Sequence, residues 1–316
     1  MTDKIEKPET EVITTESTPA PKKHSMLIRN TTSIVLIAIL CFFLFFLRSY
    51  CSYALDIVIL FFLVMGGLEM YNALKKKGAN PFLIPILVYM VAIYPMFFFF
   101  KEFGMIATLI LSSLTLLANF VISRKNHEMS DLFYTFGNIV YPMVFVSLFF
   151  AVNNYAGNLL GILMILVVSL MTDTFALFTG MAFGKHKLCE EVSPKKTKEG
   201  AIGGFFGALL GAAIIYLLFD QFGVLVPILP QSDIQSIKSL IGGSIGGAIG
   251  IYLAFAVIIY FTTTIGDLAE SWLKRKLGIK DFGKIFPGHG GVMDRLDSLI
   301  FSIPAVYVFF MIVQLV

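Results

Sequence analysis

Charge is what this sequence has least of. Asp, Glu, Lys and Arg make up only 14% of the 316 residues, against 57% hydrophobic, and the mean hydropathy is +0.83. Soluble domains carry nearer a quarter charged residues, so a water-soluble globular protein is excluded. Cysteine is scarce too: Cys41, Cys51 and Cys189 are scattered with no CxxC, which excludes a disulfide framework and a thiolate metal site. Short alternating apolar segments are missing, and with them the signature of a β-barrel. The first apolar run lacks a small-residue cleavage site, so it reads as an anchor rather than a cleaved signal. The net charge of +3 gives no reason to expect a nucleic-acid partner.

What is present is a series of long continuous apolar runs, the pattern of an all-α, polytopic membrane protein. Nine transmembrane helices are expected, at about 31–48, 53–74, 82–100, 104–122, 132–151, 157–182, 201–219, 239–266 and 295–315. Residues 1–30, rich in Thr, Glu, Lys and Pro, read as a disordered cytosolic tail. The N-terminal helices occupy 31–156 and a C-terminal catalytic membrane domain 157–316. With these spans, 21 of the 24 Lys and Arg fall on one side, leaving Arg48, Lys101 and Lys238 on the other. The positive-inside rule then puts the N-terminus in the cytosol and the C-terminus outside a multi-pass cell-membrane protein.

Glycines at 203, 207 and 211, and again at 242, 246 and 250, are spaced for close helix packing, a dimer seam or a lipid groove. Pro95, Pro142 and Pro304 are expected to kink their helices. Helical pattern from Ser239 runs on to Lys276, longer than a bilayer core, so this helix must break near Thr262–Gly266 or project into the cytosol.

Against this apolar background one stretch stands out. Residues 267–297 hold four Asp, one Glu, four Lys, two Arg and a His. Asp267, Glu270, Ser271 and Lys274 share a helix face at i, i+3, i+4 and i+7. Asp294 and Asp297 share another, in the first turns of the last span. Asp173 lies inside an apolar run, where an ionisable side chain marks function by default. Lys195 and Lys196 precede a glycine-rich helix start, a pairing that suits phosphate. Carboxylates converging near the membrane surface favour Mg²⁺, and basic groups beside them favour phosphate esters.

The residues Ser271-x-Leu273-Lys274-Arg275, Lys280-Asp281-x-Gly283 and Phe286-Pro287-x-His289-Gly290-Gly291-Val292-x-Asp294-Arg295-Leu296-Asp297 resemble the C-terminal motif of the phosphatidate cytidylyltransferases. The likeness extends upstream through DTFALFTGMAFGKHKL and SPKKTKEGAIGG, with Lys198 standing where many members carry an aromatic. The resemblance implies transfer of CMP from CTP to phosphatidate, giving CDP-diacylglycerol and diphosphate, a step of phospholipid synthesis that requires Mg²⁺. It implies Asp267, Asp294, Asp297 and Asp173 as metal ligands. Lys195, Lys196, Lys274, Arg275, Lys280, Arg295 and Ser271 become candidates for phosphate or nucleotide contacts. Asp281 either pairs with a lysine or joins the metal, and His289 either meets a phosphate or caps its turn. The family likeness and the glycine-rich helices together suggest a homodimer.

Two other classes stay open at the sequence level. One is a different nucleotide-lipid enzyme, such as a polyprenol kinase, although the single-helix DG…AR…G…D…D pattern of CDP-alcohol phosphotransferases is absent. The other is a transporter with Asp173 as its coupling site, which would call for discontinuous spans in matching halves.

Overall fold

A computed structural model describes residues 31, 35, 37–51, 53–123, 125, 127–154, 158–223, 237, 243–288 and 290–315. The tail at 1–30, the start of the eighth expected span and His289 lie outside the described residues. The architecture is helical, with six helices long and apolar enough to cross a membrane. These are α2 (Ala54–Lys76), α3 (Leu83–Ile122), α4 (Met129–Asn154), α5 (Leu159–Phe183), α6 (Lys198–Gln221) and α7 (Ile245–Leu277). Shorter helices are α1 (Ile37–Leu47), α8 (Met293–Leu296) and α9 (Ser302–Leu315).

The 40-residue α3 is a helical hairpin. Lys101 leaves the helical region at φ 57°, ψ −136°. Ser112 Oγ then donates to the Pro85 carbonyl at 2.7 Å, although 27 residues of straight helix would hold the two about 40 Å apart. The break falls at Lys101, not at Pro95. Pro142 follows the non-helical Tyr141 in α4, as expected of a kink, whereas Pro304 sits in the first turn of α9, where proline is tolerated.

Helix α6 lies tightly on α5. A Cβ at Gly203 would sit 2.0 Å from Thr179 Oγ1, and one at Gly207 2.5 Å from the Met171 carbonyl, so these positions accept only glycine. The close-packing reading therefore holds for this stripe, while Gly246 and Gly250 on α7 face open space. Helix α7 does not break: it runs 33 residues, about 50 Å, from the Ser244 cap to a left-handed Gly278. The connection between α5 and α6, expected as a plain loop, is a β-hairpin of β1 (Lys187–Cys189) and β2 (Ser193–Thr197). Arg48, one of the three basic residues that the charge count leaves on the non-cytosolic side, is buried in the bundle and bonds the Asn153 side chain and carbonyl.

Candidate functional site

Hydroxyl groups bind the three helices that carry the site. Ser169 on α5 meets Thr263 on α7 at 2.9 Å, and Thr263 meets Ser302 on α9 at 3.0 Å. One helical turn beyond Ser169 stands Asp173, and one turn beyond Thr263 stands Asp267, so the two carboxylates rise from a fixed base on facing helices. Asp297 approaches from the turn between α8 and α9, and the Asp267 charge acts on both it and Asp173.

Asp173 and Asp267 line a cavity of about 410 Å³ together with Lys195 and Lys196 of β2. Lys196 Nζ lies 2.6 Å from Asp267 Oδ2, and Ser271 Oγ reaches Asp267 Oδ1 at 3.5 Å. The apolar side of this cavity is formed by Leu177, Met181 and Leu188, the first two largely exposed on the outside of the bundle. The N-terminus of α6, expected to be open to phosphate, is capped: Thr197 Oγ1 accepts from Gly200 N at 3.1 Å.

Asp294 does not face this cavity. Its Oδ1 takes Lys274 Nζ at 3.0 Å, and its Oδ2 accepts from the amides of Phe282 at 2.9 Å and Gly291 at 2.8 Å. Lys274 also lies 2.9 Å from Oε1 of the fully buried Glu270. The last span, expected as one helix from 295, is broken between α8 and α9, and this break lets Asp294 and Asp297 serve different neighbours.

Lys280 and Asp281 lie elsewhere again, in an open groove of about 930 Å³ with Lys75, Lys76 and Lys284. Arg295 edges an apolar cavity formed by α1, α2, α5 and residues 296–303, and Arg275 is exposed on α7. The expected site residues thus divide into a carboxylate–lysine cavity, an internal ion-pair network and a basic groove. Among the described residues, no three Asp, Glu, His or Cys side chains already converge as a metal cage. Sequence reasoning passed over two residues of this region. Glu69 on α2 is buried against the loop before α8, and the buried Tyr141 hydroxyl has no hydrogen-bond partner among the described residues and feels the charges of Glu270 and Asp297. Glu69 carries no motif, and Tyr141 reads as one more aromatic in an apolar run.

Comparison with known proteins decides the family. The model of the Cytidylyltransferase family matches residues 27–313. The chain belongs to that family. Among curated cytidylyltransferases it is 34% identical over 176 residues to the phosphatidate cytidylyltransferase of Thermotoga maritima, covering 56% of this chain and 58% of that protein. It is 32% identical over 197 residues to the phosphatidate cytidylyltransferase of Staphylococcus saprophyticus, covering 62% and 66% respectively. The matched part thus spans less than two thirds of each of these relatives.

Proposed function

We propose that this protein transfers a cytidylyl group from CTP to phosphatidate, forming CDP-diacylglycerol and releasing diphosphate. One observation carries the reading: carboxylates from two facing helices, Asp173 and Asp267, line one cavity with a lysine pair, and the outer side of that cavity is apolar. An anionic headgroup on acyl chains and a soluble anion need such a meeting place.

A phosphatidate phosphate oxygen attacks the α-phosphorus of CTP. The new P–O bond forms as the bond to the β-phosphate bridge oxygen breaks, and diphosphate leaves with that electron pair. The nucleophile is already an oxyanion, so no base has to remove a proton. Lys195 and Lys196 neutralise phosphate oxygens and hold the two reactants together, the positioning work that dominates phosphoryl-transfer catalysis. Mg²⁺ commonly takes one or two carboxylates, with water and phosphate completing its shell, so Asp173 and Asp267, which share the cavity, fit it without an all-protein cage. These two would hold the ion, with Asp297 beside them, and the ion when bound supplies charge neutralisation at the transferred phosphate.

The site faces the cytosol in this reading, because the basic groove and the lysine hairpin lie on the side that carries most of the Lys and Arg. Nine crossings of the cell membrane are supported by the six long helices, the reversal of α3 at Lys101 and the short apolar α1 and α9. Gly246 and Gly250, open on α7, offer a seam to a second copy.

The test uses protein purified in detergent with phosphatidate, Mg²⁺ and each nucleoside triphosphate in turn. Label from α-labelled CTP should enter the lipid and label from γ-labelled CTP should not. Transfer of the γ label alone would identify a lipid kinase and overturn the reading.

A further inference from the structure

Glu69 stands on α2, in the half of the chain that carries none of the motif, yet it is 6% exposed and bound to the motif's own backbone. The Met293 amide donates to Glu69 Oε2 at 2.9 Å across 224 positions. The Gly291 amide, two residues earlier, donates to Asp294 instead. Two amides at the start of α8 are therefore held by two carboxyls, one from within the loop and one from α2.

The glycines on either side show how close this fit is. A Cβ at Gly291 would lie 2.4 Å from both Glu69 oxygens, and one at Gly283 2.0 Å from Oε1. Gly290, by contrast, is set by its backbone at φ 83°. So glycine at 283 and 291 is dictated by the Glu69 carboxyl and not by torsion. Glu69 does not line the Asp173–Asp267 cavity, so it has no route to the reacting atoms there.

We propose that Glu69 is a positioning residue, a clasp that fixes the segment from Gly283 to Met293 and thereby sets Asp294, Lys274 and Asp297 for the reaction. The proposal rests on the cytidylyl-transfer reading above. A misplacement of about 1 Å in such a segment costs about a hundredfold in rate.

The experiment compares the full-length protein with Glu69→Gln, Glu69→Ala, Gly291→Ala and the Glu69→Ala/Gly291→Ala pair. Two readouts are taken: hydrogen exchange of peptides covering 279–297, and steady-state kinetics of CTP-dependent transfer. Glu69→Ala should speed exchange in 279–297 alone and lower kcat about a hundredfold, with KM for both substrates changed by less than about threefold. Glu69→Gln keeps one acceptor and should fall between it and wild type. Gly291→Ala should be as damaging as Glu69→Ala. The pair should be no worse than Gly291→Ala alone, because losing the carboxyl makes room for the methyl.

Unchanged exchange, unchanged kcat despite faster exchange, or fully additive losses in the pair would each overturn the clasp. Should Glu69→Ala fail to fold, Glu69→Gln and Gly291→Ala decide by the same criteria. Should wild type transfer no cytidylyl group, the functional reading fails, and the exchange arm and the pair's folding stability still decide whether Glu69 holds the segment.

Discussion

Two polar clusters stand in this bundle, one buried and one open to the outside, and they are built on opposite plans. One gathers Arg48, Asp56, Tyr94, Asn153 and Asn154. Asp56 accepts from Asn153 at 2.7 Å, from Asn154 at 3.1 Å and from Tyr94 at 3.3 Å, while Arg48 binds Asn153. None of these five lines any of the cavities described above. The other sets Asp173 and Asp267 on one open cavity, with the Asp267 charge acting on both Asp173 and Asp297 and with Lys196 paired to Asp267. A closed cluster in which donors match acceptors holds helices together. An open one with surplus negative charge is arranged for a cation and a ligand, and each variant below tests that distinction.

The largest effect is expected at Asp267. Asp267→Asn removes a charge that the fold does not need, so turnover should fall at least about a hundredfold while the thermal midpoint in detergent holds or rises. A midpoint falling in step with activity would move Asp267 into the structural class. Chelation belongs on the same scale. Removing divalent cations should abolish transfer, and added Mg²⁺ should restore it, with helical content unchanged by circular dichroism throughout.

Asp56→Ala should do the reverse. It takes the acceptor from Asn153, Asn154 and Tyr94 and the nearby carboxylate from the buried Arg48 charge, a change that costs about 3–5 kcal/mol of stability. The protein that remains folded should turn over at the wild-type rate. A loss of kcat at full stability would make this cluster part of the catalytic machinery and end the comparison.

The contrast also shows what the sequence made legible. Charge is so rare here that Asp173 and the residues from Asp267 to Asp297 announce themselves, and long apolar runs locate the helices. Side-chain partners were less readable. Asp294 and Asp297 sit three apart on paper, but the break between α8 and α9 gives one to Lys274 and leaves the other beside Asp267. Arg48 at the end of an apolar run looks like an interfacial anchor, because nothing local shows that Asn153 waits for it. Glu69 is hidden for the same reason: its partner is a backbone amide 224 positions away, and an amide has no letter in the sequence.

The smallest effect sharpens the comparison from within the site. Lys195 and Lys196 line the same cavity, but of the two only Lys196 is bound to a carboxylate among the described residues, at 2.6 Å from Asp267. Lys195 contributes charge to an incoming phosphate and nothing to the resting arrangement. A single charge-assisted contact of this kind is worth about 1.5 kcal/mol, so Lys195→Ala should raise KM for CTP or phosphatidate about tenfold with kcat nearly constant. Lys196→Ala should in addition lower kcat, since it frees Asp267 from its only ion-pair partner among the described residues. Equal effects of the two substitutions on both constants would mean that the Lys196–Asp267 pair does no more than the unpaired lysine beside it.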